Sequence, residues 1–251
     1  MATRALLYRR PAEPSTLLIK HGSQYFAIRL RRHRRARRYT LRIHPTDREA
    51  ILTMPPRGTI ADARDFAQLH GGWIAARLGR LPKAAPFQPG TVVPLRGVPH
   101  RLVHRASERG TVWTEIRDSG ERILCVAGGP EHMDRRVHDF LKREARKDLH
   151  KASMAYAAEL GVRVRRVSIR DQSSRWGSCT SHGSLSFSWR LILAPPYVLD
   201  YLAAHEVSHL VEMNHSLRFW RTVGRICSSV DRAKTWLDTY GNDLHRYGIE
   251  D

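Results

Sequence analysis

His205, Glu206, Val207, Ser208 and His209 spell H-E-x-x-H in the middle of an apolar run. On an α-helix, residues four apart lie nearly above one another, so the two imidazoles can aim at one point. Glu206 sits about 100° further round the axis, from where it can reach a water on a bound metal without being a ligand. A catalytic zinc uses three protein groups and keeps its fourth position for water, so a third ligand must come from elsewhere. His215, ten positions after His205, is the nearest candidate, and Glu212, Asp231 and Asp238 are the alternatives. Helix context is good: Pro195-Pro196 suits a first turn, and Tyr197 to Ala204 is amphipathic. The pattern predicts a helix running on to Met213, where Asn214, in a left-handed conformation, ends it and turns the chain back to present His215.

Further residues around this motif carry a resemblance. Ser174-Arg175-Trp176-Gly177-Ser178-Cys179, then Ser186 to Pro196, then His205 to His209 with Glu212-Met213-Asn214-His215 and Arg218-Phe219-Trp220, resemble the bacterial YgjP-like family of zinc metallopeptidases. The likeness is close over residues 130 to 248 and looser upstream, where Pro94-Leu95-Arg96-Gly97 is similar. That family is related to the SprT-like and WLM proteases, which act around DNA. The resemblance implies one Zn2+ held by His205, His209 and His215, with Glu206 as general base. It also implies that Leu185 to Trp189 forms the strand edge on which an extended substrate pairs. The histidine spacing equals that of metzincins, yet Glu212 stands where they carry glycine, so the metzincin fold is not carried over.

A zinc-activated water with a carboxylate base hydrolyses peptide bonds most simply, and a peptide or protein substrate is expected. Arg175, Trp176, Arg190 and Tyr197 are candidates for holding it; Arg175, His182, Arg190, Tyr197 and backbone amides are the open choices for stabilising the oxyanion. Two other classes compete: a metal-dependent hydrolase of nucleotides or other phosphoanhydrides, and a nucleic-acid-associated module with a structural metal. Glu206 argues against the last, since a structural site has no use for a base and commonly has four protein ligands. Cys179 ends the Arg-Trp-Gly-Ser-Cys motif and is read as a packing residue rather than a fourth ligand or nucleophile.

The chain has 251 residues, 41% of them hydrophobic, and no apolar run near the 18 or so residues of a membrane span. The chain therefore reads as soluble, with no membrane partner expected. Three scattered cysteines argue against a disulfide framework, and the short basic N-terminus lacks a secretory apolar region, so a cytoplasmic protein is expected. The net charge of +19 is large for a metabolic enzyme. Seven of the ten residues from Arg29 to Arg38 are arginine. Within that run Arg34, Arg35, Arg37 and Arg38 are the candidate contacts to nucleic acid, with a solvated surface as the plainer alternative. No stacking platform is recognisable from the sequence.

The expected fold class is α+β, in three stretches. Residues 1–22 read as an extended lead. Residues 23–128 read as a β-rich part: strands in Tyr25–Leu30, Arg38–Ile43 and Ala50–Met54 forming a small antiparallel sheet, a helix over 60–80 capped by Thr59 with Ala63, Phe66, Ala67, Trp73 and Ile74 among its buried positions, and further strands from Thr91 to Val126 enlarging that sheet. Proline-rich residues 81–90 read as a linker. Residues 129–251 read as the zinc metallopeptidase-like part: a long helix from Arg135 to Leu160 stopped by Gly161, a strand, a hairpin at His182-Gly183, the metal helix beside a small sheet, and two more helices. Oligomeric state is not legible.

Overall fold

The computed structural model describes residues 14–172 and 174–248. Most of the expected extended lead, residues 1–13, lies outside them. Two compact units divide between Arg80 and Leu81, at the start of the proline-rich stretch, and not near residue 128.

The first unit has four strands, β1 (Thr16–His21), β2 (Gln24–Arg32), β3 (Thr40–His44) and β4 (Glu49–Met54), in the order β1-β2-β4-β3. Part of the expected lead is thus an edge strand. The sheet is mixed rather than antiparallel, because β2 and β4 run parallel while β1–β2 and β3–β4 are antiparallel. Alternation predicts a pleated strand but not its direction; the segment 33–39 is long enough to skip a strand position and let β4 come back between β2 and β3. Thr59 caps α1 (Ile60–Leu69) through a reciprocal box, its Oγ1 accepting from the Asp62 N–H and the Asp62 carboxylate accepting from its own. The predicted single helix breaks at His70, and α2 (Gly71–Gly79) starts afresh. At the break Gly71 makes room for β1: a Cβ there would lie 3.0 Å from the His21 side chain. Ala63, Ala67 and Ile74 are buried against Leu17, Ile28 and Leu52, whereas Trp73, expected inside, is 40% exposed.

In the second unit β5 (Val92–Leu95), β6 (Val98–Arg105), β7 (Val112–Ile116) and β8 (Arg122–Ala127) form their own sheet, ordered β5-β6-β8-β7, instead of enlarging the first. Its Leu102, Leu124 and Val126 share one core with Val137, Leu141 and Leu149 of α3 (Met133–Leu160). Gly161 ends α3 at φ 65°, as predicted. Arg96 and Gly97 turn the β5–β6 hairpin, both left-handed, and the Arg96 guanidinium donates to Glu144 and Asp148 of α3 at 2.7–2.8 Å.

A third sheet carries β9 (Arg166–Arg170), β10 (Gly177–Cys179) and β11 (Ser184–Ser188) in the order β10-β11-β9. A buried 3₁₀ turn, Trp189–Leu193, leads into α4 (Pro196–Ser208), followed by α5 (Leu217–Ile226) and α6 (Val230–Tyr240). The α+β class is as expected. No helix among the described residues is long and apolar enough to cross a membrane, and all three cysteines are free.

Arg190 in the 3₁₀ turn is 1% exposed; its guanidinium lies 4.6 Å from the Trp189 ring and pairs with Asp171. Burial works to raise the Asp171 pKa, but the Arg190 charge and hydrogen bond outweigh it and hold the carboxyl below its ordinary value. A carboxyl with a depressed folded pKa contributes stability above its unfolded pKa and loses it as pH falls through the folded one. Asp171→Asn should therefore cost about 2 kcal/mol at pH 7, discounted for the carboxyl's partial exposure. In urea denaturation the gap to wild type should close below about pH 4; a pH-independent gap would show that the amide loses packing and not charge.

Candidate metal centre

Pro196 at the first position of α4 has no N–H to lose and starts the helix cleanly. One turn before its end stands His205, and the helix then stops at Ser208 with His209 as its C-cap, five residues short of the predicted end. Asn214 does not adopt the left-handed conformation expected of it; among non-glycine described residues only Arg48 and Arg96 do. Its side chain works another way, the Oδ1 accepting from the Ser216 N–H at 3.0 Å. Ser216 in turn caps α5, its Oγ accepting from the Phe219 N–H. These two local bonds turn the chain so that His215 faces α4.

The three histidines converge. His215 Nε2 lies 3.2 Å from His205 Nε2, and one ring nitrogen from each of His205, His209 and His215 lies within 4.8 Å of the others. Two nitrogens at about 2.05 Å from a common tetrahedral centre would be about 3.3 Å apart, so the three-imidazole set suits zinc in kind and the His205–His215 pair suits it in spacing. The His209 Nδ1–H donates to the Glu212 carbonyl at 3.2 Å, which leaves its Nε2 as the free lone pair. No cysteine or acid joins the cluster among the described residues, so Glu212, Asp231, Asp238 and Cys179 are not part of it.

Aromatic rings wall the cluster. The Phe219 ring lies 4.5–4.9 Å from all three imidazoles and stacks on His209, Trp220 stacks on His215 at 5.8 Å, and Tyr201 meets His205 edge-on at 5.8 Å. No role was legible for these rings, although Tyr201 stands one turn before His205 and Phe219 three after the capping serine. Burial pushes the His205 pKa down to about 4, with the other two histidines and Lys234 adding to it.

Glu206 is 5% exposed, and burial pushes its pKa up to about 7 against the opposing charge of Arg175. Strand β10 lies across this carboxyl, so closely that a Cβ on Gly177 would collide with Glu206 Oε1. Only glycine permits that approach. The strand predicted as the substrate edge, Leu185 to Trp189, is not an edge: β11 is paired on both sides, antiparallel to β10 and parallel to β9. The free edge beside Glu206 belongs to β10.

The remaining predicted residues scatter. Arg175, exposed, is felt at Glu206. Trp176 stacks on His245 at 5.1 Å and is anchored where its carbonyl accepts from the Ser188 N–H. Arg190 is sealed in its pair with Asp171 and cannot reach a substrate. The Tyr197 ring carries the Arg232 guanidinium at 4.0 Å and lines a different pocket, with Arg96, Ala152 and Asp200. His182 is exposed in the β10–β11 turn. Cys179 is half-buried, and burial, with Glu206 adding, pushes its thiol up to about 11, so it is no thiolate at neutral pH. Arg34, Arg35, Arg37 and Arg38 are exposed in the β2–β3 loop of the first unit.

Comparison with known proteins bears on this cluster. No curated protein matches the chain. Among solved structures, the crystal structure of the metallopeptidase zymogen of Pyrococcus abyssi abylysin is similar to 40% of this chain and 99% of its own, at 22% identity and a TM-score of 0.34. The family model for the YgjP-like metallopeptidase domain matches residues 37–240 and thus spans both part of the arginine loop and the three histidines. This chain belongs to the YgjP-like metallopeptidase family.

Proposed function

We propose that the chain is a zinc-dependent peptidase in which His205, His209 and His215 hold the ion and Glu206 is the general base. The observation that carries this reading is the convergence of three imidazole nitrogens beside a buried carboxyl that no ion pair occupies among the described residues. Zinc, when bound, supplies a Lewis acid for the scissile carbonyl and makes a water acidic enough to attack at neutral pH. The protein's own groups do the rest. Glu206 takes the attacking water's proton and passes it to the leaving nitrogen, and its low exposure keeps bulk water from competing for it. The free β10 edge receives an extended peptide by main-chain hydrogen bonds, with Gly177 letting strand and carboxyl come close. Arg175 at the start of that strand is placed to stabilise negative charge on the substrate.

Zinc content is the first test. His205→Ala, His209→Ala and His215→Ala should each reduce bound zinc from about one per chain to a small fraction, because a two-point site binds far more weakly. His182→Ala, His245→Ala and Cys179→Ser should retain it. Full zinc in purified His215→Ala, measured by elemental analysis, would remove that residue from the ligand set.

Turnover is the second. Glu206→Gln should keep its zinc and lose peptide hydrolysis by about 10²- to 10⁴-fold, the usual contribution of a general base. Wild type and variant are to be screened side by side on peptide libraries, unfolded proteins and nucleoside triphosphates. Cleavage of triphosphates alone, lost in Glu206→Gln, would replace the peptidase reading with phosphoanhydride hydrolysis at the same site.

A further inference from the structure

The first 80 residues hold seventeen basic and only five acidic side chains. Their excess has a definite shape. Arg34, Arg35, Arg37 and Arg38 are all exposed in the β2–β3 loop, and among the described residues none of the four has a carboxylate within ion-pair distance. The other arginines of the run are partly used by the fold: Arg29 pairs with Asp47 and Glu49, and Arg32 donates to the carbonyls of Pro55, Pro56 and Gly58 at 2.8 Å.

Directly after the loop, Tyr39 begins a groove of about 480 Å³ that Arg38, Phe66, His70 and Trp73 also line. Tyr39 and Phe66 lie 5.9 Å apart and Phe66 and His70 4.6 Å, all three half-buried with one side open to the groove, and the more exposed Trp73 lines the same groove. Tyr39 is held in place, its hydroxyl 3.3 Å from both the Thr59 carbonyl and the Asp62 carboxylate. Trp73 is 40% exposed, although its position on the helix predicts burial, and the guanidinium of Arg77 stands 6.0 Å from its ring.

We infer that this surface of the first unit binds single-stranded nucleic acid, bases stacking in the groove and phosphates following the arginine loop. Arginines without carboxylate partners release counterions when they meet phosphates, and aromatic rings accept any base face, so the site tracks a strand without reading its sequence. Duplex DNA offers the same phosphates but hides its base faces. An anionic membrane offers charge with nothing to stack. The groove of rings therefore selects the single strand.

The test uses the full chain and fluorescein-labelled twelve-nucleotide RNA and oligo-dT, a twelve-base-pair duplex, and phosphatidylserine vesicles, at 50 and 200 mM salt. Single strands should bind at least ten-fold more tightly than the duplex and weaken steeply with salt. Replacing Arg34, Arg35, Arg37 and Arg38 by serine should lower the slope of log affinity against log salt by about three, near 0.7 for each phosphate left without its arginine. Trp73→Ala should weaken single-strand binding roughly ten-fold while leaving duplex binding unchanged. Trp73→Phe keeps a ring, so affinity should recover and only the base-induced quenching of tryptophan fluorescence should vanish; melting curves of both variants show that the unit stays folded. Equal binding of single strand and duplex, an unaltered affinity in Trp73→Ala, stronger binding to the vesicles, or no salt-dependent binding at all would each overturn the inference.

Discussion

The structure of the histidine cluster depends on how tightly α4 is enclosed. Val198, Ala203, Ala204 and Val207 have no exposed surface, and α3, α5, α6 and β10 all pack against this one helix. A helix packed on this many sides cannot roll, so the direction in which His205 and His209 point is set by the core as a whole. The small Ala203-Ala204 pair lets neighbours approach closely, and Tyr201 and Phe219 fill the space around the imidazoles. Preorganisation of this kind is what a metal needs, because ligands held in place lose little entropy on binding.

Enclosure has an electrostatic consequence at Glu206. A carboxyl in a nearly dry site resists ionisation, and the protein answers with the charge of Arg175 rather than with a close ion pair. A salt bridge would have held the carboxylate ionised and occupied. The contrast with Asp171 is instructive: there a partial burial is outweighed by the Arg190 guanidinium, and the carboxyl stays ionised to hold the 3₁₀ turn in place. The two acids thus serve opposite ends, because Asp171 is partly open and has a cation in contact, whereas Glu206 is enclosed and has none.

Much of the site was legible in the sequence because it is local. The i, i+4 histidines need only a helix, and the proline entry signals one; Thr59 before its helix, and Gly161 after a long apolar stripe, are likewise short-range patterns that the structure reproduces. The failures are long-range or depend on competing local bonds. Helix α4 stops at Ser208, after which the backbone tightens into turns with Leu210 bonding Val207 and Val211 bonding Ser208, and the Asn214 and Ser216 side chains shape the chain further on; apolar periodicity registers neither. The mixed first sheet, the separate second sheet and the central place of β11 all concern which strand lies beside which, and alternation along one strand carries no such information.

By itself the sequence determined the reactive side chains, their helical register and the excess of arginine over acid, since these follow from residue type and spacing within a few turns. Tertiary structure decided what those side chains can do. It brought His215 to within 3.2 Å of His205, laid Gly177 over Glu206, and sealed Arg190 away from any substrate. In the first unit it set Tyr39 beside Phe66, which lies beyond two further strands in sequence. Each of these joins segments separated along the chain. Such contacts form only when the apolar faces of many elements are buried together, and no single segment encodes that cooperative burial.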